Sequence, residues 1–259
     1  MNRFLIDQFE DDETLLHIES KNIFENQDTL DRADTYKLLS GHVMFPHMIN
    51  KMDVINTRQT IATFRLPLTH VISHISWVRK LAEPAEHGRL QMHDKTIQKT
   101  AAKLADTDLS QPNEIAGFIR WLGENKVFVF HNTQTKYLCG GGAGAFSPGL
   151  IDQALQHLDK INYVGTVERL NEFISLLCYR LGFSQPNESS IIKENSNSRT
   201  YGLDIKDESI CRALQPLIGW DKLIYNQARH RFIDDLHQYL VELEKSKGPR
   251  YSSVKSRLV

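Results

Sequence analysis

Residues 41–77 read GHVMFPHMINKMDVINTRQTIATFRLPLTHVISHISW, and this stretch decides the fold. Within it, residues 60–64 (TIATF) form a short apolar, β-branched run that predicts a buried strand leading directly into Arg65. Pro67 then predicts a turn, and apolar residues recur at helical spacing over the following three turns. The stretch therefore predicts a strand, a turn and a helix. Arg65 and Ser73 should lie near the carboxyl end of the strand, where open α/β sheets bind ligands.

A second strand and helix of the same design follow later in the chain. Residues 161–167 (INYVGTV) predict a buried strand. Glu168 opens a helix in which apolar residues recur at three- and four-residue steps until Gly182. Two strand–helix units predict a parallel sheet flanked by helices, in a single α/β domain of residues 1–245. The basic residues 246–259 are expected to form a disordered tail.

Shorter segments complete the predicted order of elements. Helices are expected over residues 1–9, 31–39, 115–124, 150–158 and 221–245, and a short strand over residues 15–18. The Gly-rich segment 139–149 (CGGGAGAFSPG) lacks the GxxxxGK[ST] pattern, so a mobile surface loop is favoured over a phosphate loop. Residues 184–201 are expected to form a polar loop.

Composition narrows the function classes. The chain has 259 residues, of which 41% are hydrophobic, which is enough for a buried core. A formal net charge of −1 excludes a global attraction to nucleic acid or to an anionic membrane, so an anion would need a local cluster of cations. Three cysteines without a CxxC pair favour a reducing compartment. No apolar run approaches ~20 residues and no signal-peptide core is present, so we expect a cytoplasmic protein without a membrane span.

Five segments in a fixed order carry a family resemblance. They are GHV at 41–43, FRLPLTHVISH at 64–74, NTQTKYL at 132–138, VGTVERLNE at 164–172 and WDKLIY at 220–225. In this order they resemble motifs of the carbohydrate sulfotransferases, most closely the uronyl and heparan sulfate 2-O-sulfotransferases and their bacterial relatives. The resemblance implies a sulfotransferase-like fold, in which a P-loop NTPase-like parallel sheet is flanked by helices.

The resemblance also implies a donor, 3′-phosphoadenosine 5′-phosphosulfate (PAPS), and no metal. Its 3′-phosphate would be held by the residues that match Arg65 and Ser73, and Arg199 and Thr200 sit where a late basic loop closes over the nucleotide. The residue that matches His42 would take the proton from the hydroxyl of a glycan or small acceptor as its oxygen attacks the sulfur. Imidazole suits this role because its ordinary pKa is about 6.5. Sulfuryl transfer, like phosphoryl transfer, depends mainly on positioning and charge stabilisation.

Two departures from the family pattern predict an alternative. The family's Pro-Lys-Thr loop, which cradles the 5′-phosphosulfate, has no counterpart here, so its strand and loop are expected either to lie upstream of Met1 or to be lost. The family's Arg-Asp-Pro-x-x-Arg is RLPLTH at residues 65–70, which removes an acid and a guanidinium. The alternative is a truncated or degenerate relative that binds or interacts without transferring sulfate.

Each candidate residue also has a structural interpretation. His42 could be a core or helix-end histidine, Arg65 an ion-pair residue and Ser73 a packing residue, while the dipeptide 199–200 could be solvated loop. His70 and His74 are spaced to face one side of a helix, as zinc ligands often are. No third ligand stands at a matching spacing, so no metal site is predicted.

Overall fold

The protein is a mixed α/β structure in which helices predominate. A computed structural model describes residues 1–18, 31, 33, 35–140, 147–186 and 199–247. The interior of the Gly-rich segment, most of the predicted polar loop and residues 248–259 of the predicted tail lie outside the described residues. Within the described part, no helix is both long enough and apolar enough to cross a membrane.

The described strands form two small parallel sheets. They are β1 (Thr14–Leu16), β2 (Leu38–Ser40), β3 (Ile61–Phe64) and β4 (Tyr163–Thr166). β1 pairs with β2, and β3 pairs with β4 with Ile61 opposite Tyr163. Parallel pairing of the two predicted strand–helix units is thus confirmed. The described residues do not form a single sheet, because β2 and β3 share no strand hydrogen bonds. Leu38 of β2 and Ile61 of β3 both pack against the same apolar cluster.

Helices fill most of the remaining described chain. The α-helices are Asn2–Ile6, Phe45–Met52, Val54–Thr57, Pro67–Leu81, His87–Gln91, Lys95–Ala105, Pro112–Glu124, Thr133–Cys139, Pro148–Asp159, Leu170–Leu181, Glu208–Ala213 and Gly219–Lys247. Single 3₁₀ turns span Asp11–Glu13, Pro84–Glu86, Val167–Arg169 and Gln215–Leu217. The predicted helices near residues 115, 150, 170 and 221 are confirmed, and the last continues two residues into the predicted tail.

The predicted helix over residues 31–39 is wrong at its carboxyl end. Leu38 and Leu39 belong to β2, and they point to opposite faces, one toward the cluster around Phe173 and the other toward the cluster around Ile18. This alternation is the two-residue period of a strand. The strand β2 has only three residues, which is too short for an alternating pattern to be recognised in the sequence.

Apolar clusters pack against both faces of the β3–β4 sheet, as is usual for parallel strands. Ala62, Phe64 and Val164 face one apolar cluster, whereas Ile61 and Tyr163 face another that contains Phe173. Position 165 accepts only glycine, because a Cβ there would lie 2.2 Å from the Phe173 ring. The long helix Gly219–Lys247 contributes side chains to both clusters. Helices on both faces hold the carboxyl ends of β3 and β4 in place.

Candidate functional site

Gln134 fixes the carboxyl end of β3. The Arg65 backbone N–H donates to Gln134 Oε1 at 2.8 Å, and Gln134 Nε2 donates to the Arg65 carbonyl at 2.9 Å. One amide therefore satisfies both backbone groups of Arg65 and ties the strand end to the helix Thr133–Cys139. The guanidinium takes no part in these bonds. Among the described residues no carboxylate forms a salt bridge with it.

The next residues place a helix amino terminus beside Arg65. The Leu66 N–H donates to Glu168 Oε1 at 2.7 Å, and the Tyr225 hydroxyl donates to Glu168 Oε2 at 3.0 Å. Both Glu168 oxygens are thereby engaged. The helix Pro67–Leu81 starts directly after Leu66, and no side chain caps its amino terminus. The dipole of this helix adds positive potential next to Arg65, which directly follows β3.

His70 lies in the first turn of this helix, between groups from two other elements. Burial, then the charges of Arg65 and of His42, which follows β2, lower the pKa of His70 to about 4. His42 itself is exposed, and its ring centroid lies 6.3 Å from that of Tyr137. Two of the predicted site residues, His42 and Arg65, therefore lie close enough to His70 for their charges to act on its ring.

Three more basic side chains extend the group. Burial, then the charges of His70 and Lys136, lower the pKa of His74 to about 3. Burial, then Lys136, lower the pKa of His131 to about 4. Burial also lowers the pKa of Lys136 itself, against the opposing charges of Asp221 and Cys139, and its ammonium donates to the Phe128 carbonyl. The ring centroids of His70 and His74 are 6.4 Å apart.

These six residues form what we call the basic cluster. Its members are His42, Arg65, His70, His74, His131 and Lys136. They come from the ends of β2 and β3, from two helices and from the turn before Asn132. Arg65 can donate two parallel hydrogen bonds, and a neutral imidazole donates from one ring nitrogen and gains a second donor when it takes up a proton. Chemically, the cluster is suited to bind a dianion such as phosphate or sulfate.

Reciprocal caps between two helices support the cluster. Asn132 Oδ1 accepts from the backbone N–H groups of Trp220 and Asp221, at 2.8 and 3.2 Å, and so caps the helix Gly219–Lys247. The Asp221 carboxylate in turn accepts from Gln134 N, Thr135 N and Thr135 Oγ1, at 3.2, 2.8 and 2.7 Å, and caps the helix Thr133–Cys139. Gln134 and Lys136 are therefore positioned by contacts between residues almost ninety positions apart.

The remaining predicted site residues lie in different places. Ser73 follows His70 by three residues, so it lies on the same face of the helix as His70 and is half-buried. Arg199 pairs with Glu83 at 3.3 Å, and the Tyr201 hydroxyl donates to the same carboxylate oxygen at 2.7 Å. Glu83 lies just beyond the far end of the helix Pro67–Leu81, about 20 Å from its start. The structure therefore does not bring Arg199 and Thr200 to Arg65.

Two other possible sites are separate from the basic cluster. In the described part of the chain, no three His, Cys, Asp or Glu side chains stand together as metal ligands, so the pair His70 and His74 has no third partner there. A cleft of 880 Å³ opens at the amino end of β2, lined by Lys37, Lys51 and Arg58 among others. None of the cluster residues lines that cleft.

The buried imidazoles predict a pH-dependent stability. His70, His74 and His131 have folded pKa values of about 4, 3 and 4, below the ordinary value near 6.5 that the unfolded chain should show. Between these values the unfolded chain binds more protons, so stability is present above pH ~6.5 and is lost as the pH falls toward ~4. The melting temperature should therefore fall from pH 7.5 to 5.

Two variants, one at a buried histidine and one at an exposed histidine, make this test specific. His74→Gln should flatten the fall in melting temperature, whereas His237→Gln, on the exposed side of the helix Gly219–Lys247, should leave it unchanged. A wild-type melting temperature that stays constant between pH 7.5 and 5 contradicts the burial of these rings.

Comparison with protein-family models, with curated proteins and with solved structures finds no match to this chain. The resemblance of its five segments to carbohydrate sulfotransferases thus stays a prediction.

Proposed function

We propose that this protein binds PAPS at the basic cluster and transfers its sulfuryl group to a hydroxyl of a saccharide. The observation that carries the proposal is that His42 and Arg65, which follow β2 and β3, both lie close enough to His70 for their charges to act on its ring. A base and an anion-binding guanidinium at strand ends are what a sulfuryl transfer needs.

Arg65 is proposed to hold the 3′-phosphate. Its backbone is fixed by Gln134, so the guanidinium projects from a rigid strand end rather than from a loop. The adjacent uncapped amino terminus of the helix Pro67–Leu81 favours negative charge at the same place. Ser73, two turns into that helix, is the proposed neutral donor. Arg199 and Thr200 have no part in this assignment, because Arg199 is engaged by Glu83.

His42 is proposed to act as the base. Its side chain is exposed, so an acceptor can approach it from solvent. As the acceptor oxygen forms its bond to sulfur, the bond from sulfur to the bridging phosphate oxygen breaks, and adenosine 3′,5′-bisphosphate leaves. The hydroxyl proton passes to His42. The product is a sulfate ester, and charge is conserved because the imidazole gains the proton that the acceptor loses.

Transfer of labelled sulfate from PAPS to a panel of glycans and small hydroxylated acceptors tests this proposal. Wild type should transfer label, and His42→Ala should lose roughly 10²- to 10⁴-fold of the rate, the usual contribution of a general base. His42→Ala should still bind adenosine 3′,5′-bisphosphate, because the base does not hold the nucleotide. His230→Ala, an exposed histidine on the helix Gly219–Lys247, is the matched control and should retain full activity. Equal rates for wild type and His42→Ala would overturn the role of His42.

A second candidate is nucleotide binding without transfer. It is favoured by the segment RLPLTH at residues 65–70, which lacks the second guanidinium of the family pattern. Loss of one group that stabilises transition-state charge typically costs about 3 kcal/mol of barrier. Tight binding of the bisphosphate, with no labelled product from any acceptor, would favour this candidate over the transferase.

A further inference from the structure

We propose that Glu168 and Tyr225 are positioning residues for the anion site, and that they act by fixing the backbone from which Arg65 projects. The inference rests on the proposed function, because it concerns the residue proposed to hold the 3′-phosphate. Neither residue is assigned a contact with the nucleotide. Their hydrogen bonds set the direction in which the Arg65 side chain leaves the strand end.

The peptide group between Arg65 and Leu66 is held from two opposite sides. Its carbonyl accepts from Gln134 Nε2 at 2.9 Å, and its N–H donates to Glu168 Oε1 at 2.7 Å. The carbonyl and the N–H of a trans peptide lie in one plane and point in opposite directions, so two such bonds fix the orientation of that plane. Gln134 Oε1 also accepts from the Arg65 N–H at 2.8 Å. The backbone of Arg65 is therefore fixed on both sides of its Cα.

Glu168 takes the place of a backbone partner just beyond the sheet. β3 and β4 pair in register up to Phe64 and Thr166, and Leu66 and Glu168 each follow two residues later. There the chain after β4 has already entered the 3₁₀ turn Val167–Arg169. The side-chain carboxylate, and not a strand carbonyl, accepts the bond from the Leu66 N–H. The contact between the two chain segments is thus extended by one side-chain bond.

Both supports of this peptide group are anchored on the last helix of the described chain. The Tyr225 hydroxyl donates to Glu168 Oε2 at 3.0 Å. The Asp221 carboxylate accepts from the backbone N–H of Gln134 at 3.2 Å. Asp221 and Tyr225 are four residues apart in this helix, so they share one face, and they are only 2% and 7% exposed. One buried helix face therefore holds Glu168 and Gln134 in place, and through them the strand end.

Charge and positioning predict opposite effects when Glu168 is replaced. Loss of a carboxylate beside the proposed anion site should, by charge alone, strengthen anion binding. Loss of its hydrogen bonds frees the Leu66 N–H, so Arg65 is less well aligned and binding should weaken. Glu168→Gln removes the carboxylate but can keep both bonds, because the amide oxygen accepts from Leu66 and the amide nitrogen donates to the Tyr225 oxygen. A comparison of the Gln and Ala variants therefore isolates the positioning role.

Calorimetric titration with adenosine 3′,5′-bisphosphate measures these effects. Glu168→Gln should bind at least as tightly as wild type, whereas Glu168→Ala should bind about tenfold more weakly than Glu168→Gln. Tyr225→Phe keeps the packed ring and removes one hydrogen bond to Glu168, so it should weaken binding by about threefold. Tyr239→Phe, at a partly buried position about 20 Å further along the same helix, is the matched control and should bind like wild type.

The outcomes separate this inference from the proposed function. If wild type binds the bisphosphate and Glu168→Ala binds as tightly as Glu168→Gln, Glu168 is a structural residue and only this inference fails. If wild type binds no bisphosphate, both proposals fail. Melting temperatures establish which variants are folded at the temperature of the titration. If Glu168→Ala is unfolded there, Tyr225→Phe decides, and an affinity equal to that of Tyr239→Phe overturns the inference.

Discussion

Replacement of Asp221 by alanine is expected to lower the free energy of unfolding by about 3 to 5 kcal/mol, since it leaves several buried donors without a partner. Asp221 is only 2% exposed and accepts three hydrogen bonds from Gln134 and Thr135. Burial raises the pKa of its carboxyl, and the bonds from Thr135 and Gln134, with the charge of Lys136, oppose that rise. The variant removes the cap of the helix Thr133–Cys139 at a position that water does not reach.

Chemical denaturation of wild type and variants measures this effect. Asp234→Ala, on an exposed position of the same helix, is the control and should stay within about 0.5 kcal/mol of wild type. Asn132→Ala removes the reciprocal cap, so the double variant with Asp221→Ala should be less destabilised than the sum of the two single variants. A loss below 1 kcal/mol for Asp221→Ala would show that the two caps are not part of the folded protein in solution.

The second large effect is expected on binding. Arg65→Ala should weaken binding of adenosine 3′,5′-bisphosphate by at least about 100-fold, which corresponds to about 2.7 kcal/mol. The fold should be retained, because the backbone of Arg65, and not its guanidinium, bonds to Gln134. Arg65→Lys keeps the charge but loses the paired donors, so its affinity should fall between those of wild type and Arg65→Ala.

The sequence predicts the β3–β4 half of the fold well, for a physical reason. The runs at 61–64 and 163–166 contact apolar clusters on both faces, and apolar stripes mark the helices that follow them. Pro67 marks the start of the first of these helices, and Gly182 marks the end of the second. Composition and spacing therefore suffice there. β2 is missed because three residues, Leu38–Ser40, are too few to show an alternating pattern, and the neighbouring polar stretch resembles a helix.

The site is predicted only in part. Arg65 is picked out by its position after a predicted strand and His42 by the family resemblance, and the charges of both act on His70 in the structure. Lys136 and His131 are positioned by the reciprocal caps of Asn132 and Asp221. These two residues are 89 positions apart, so local sequence spacing cannot predict that they pair. Arg199 forms an ion pair with Glu83, beyond the opposite end of the helix Pro67–Leu81. Sequence alone does not show which carboxylate an arginine pairs with.

Binding of adenosine 3′,5′-bisphosphate tests the central claim most directly, namely that the carboxyl end of β3 is a nucleotide-binding anion site. Calorimetric titration, with melting temperatures alongside, compares wild type with Arg65→Ala and with Arg120→Ala, an exposed control on the helix Pro112–Glu124. We expect one bound equivalent and a raised melting temperature for wild type and Arg120→Ala, and neither for Arg65→Ala. No heat and no shift for wild type at millimolar ligand, or unchanged binding by Arg65→Ala, would contradict the claim.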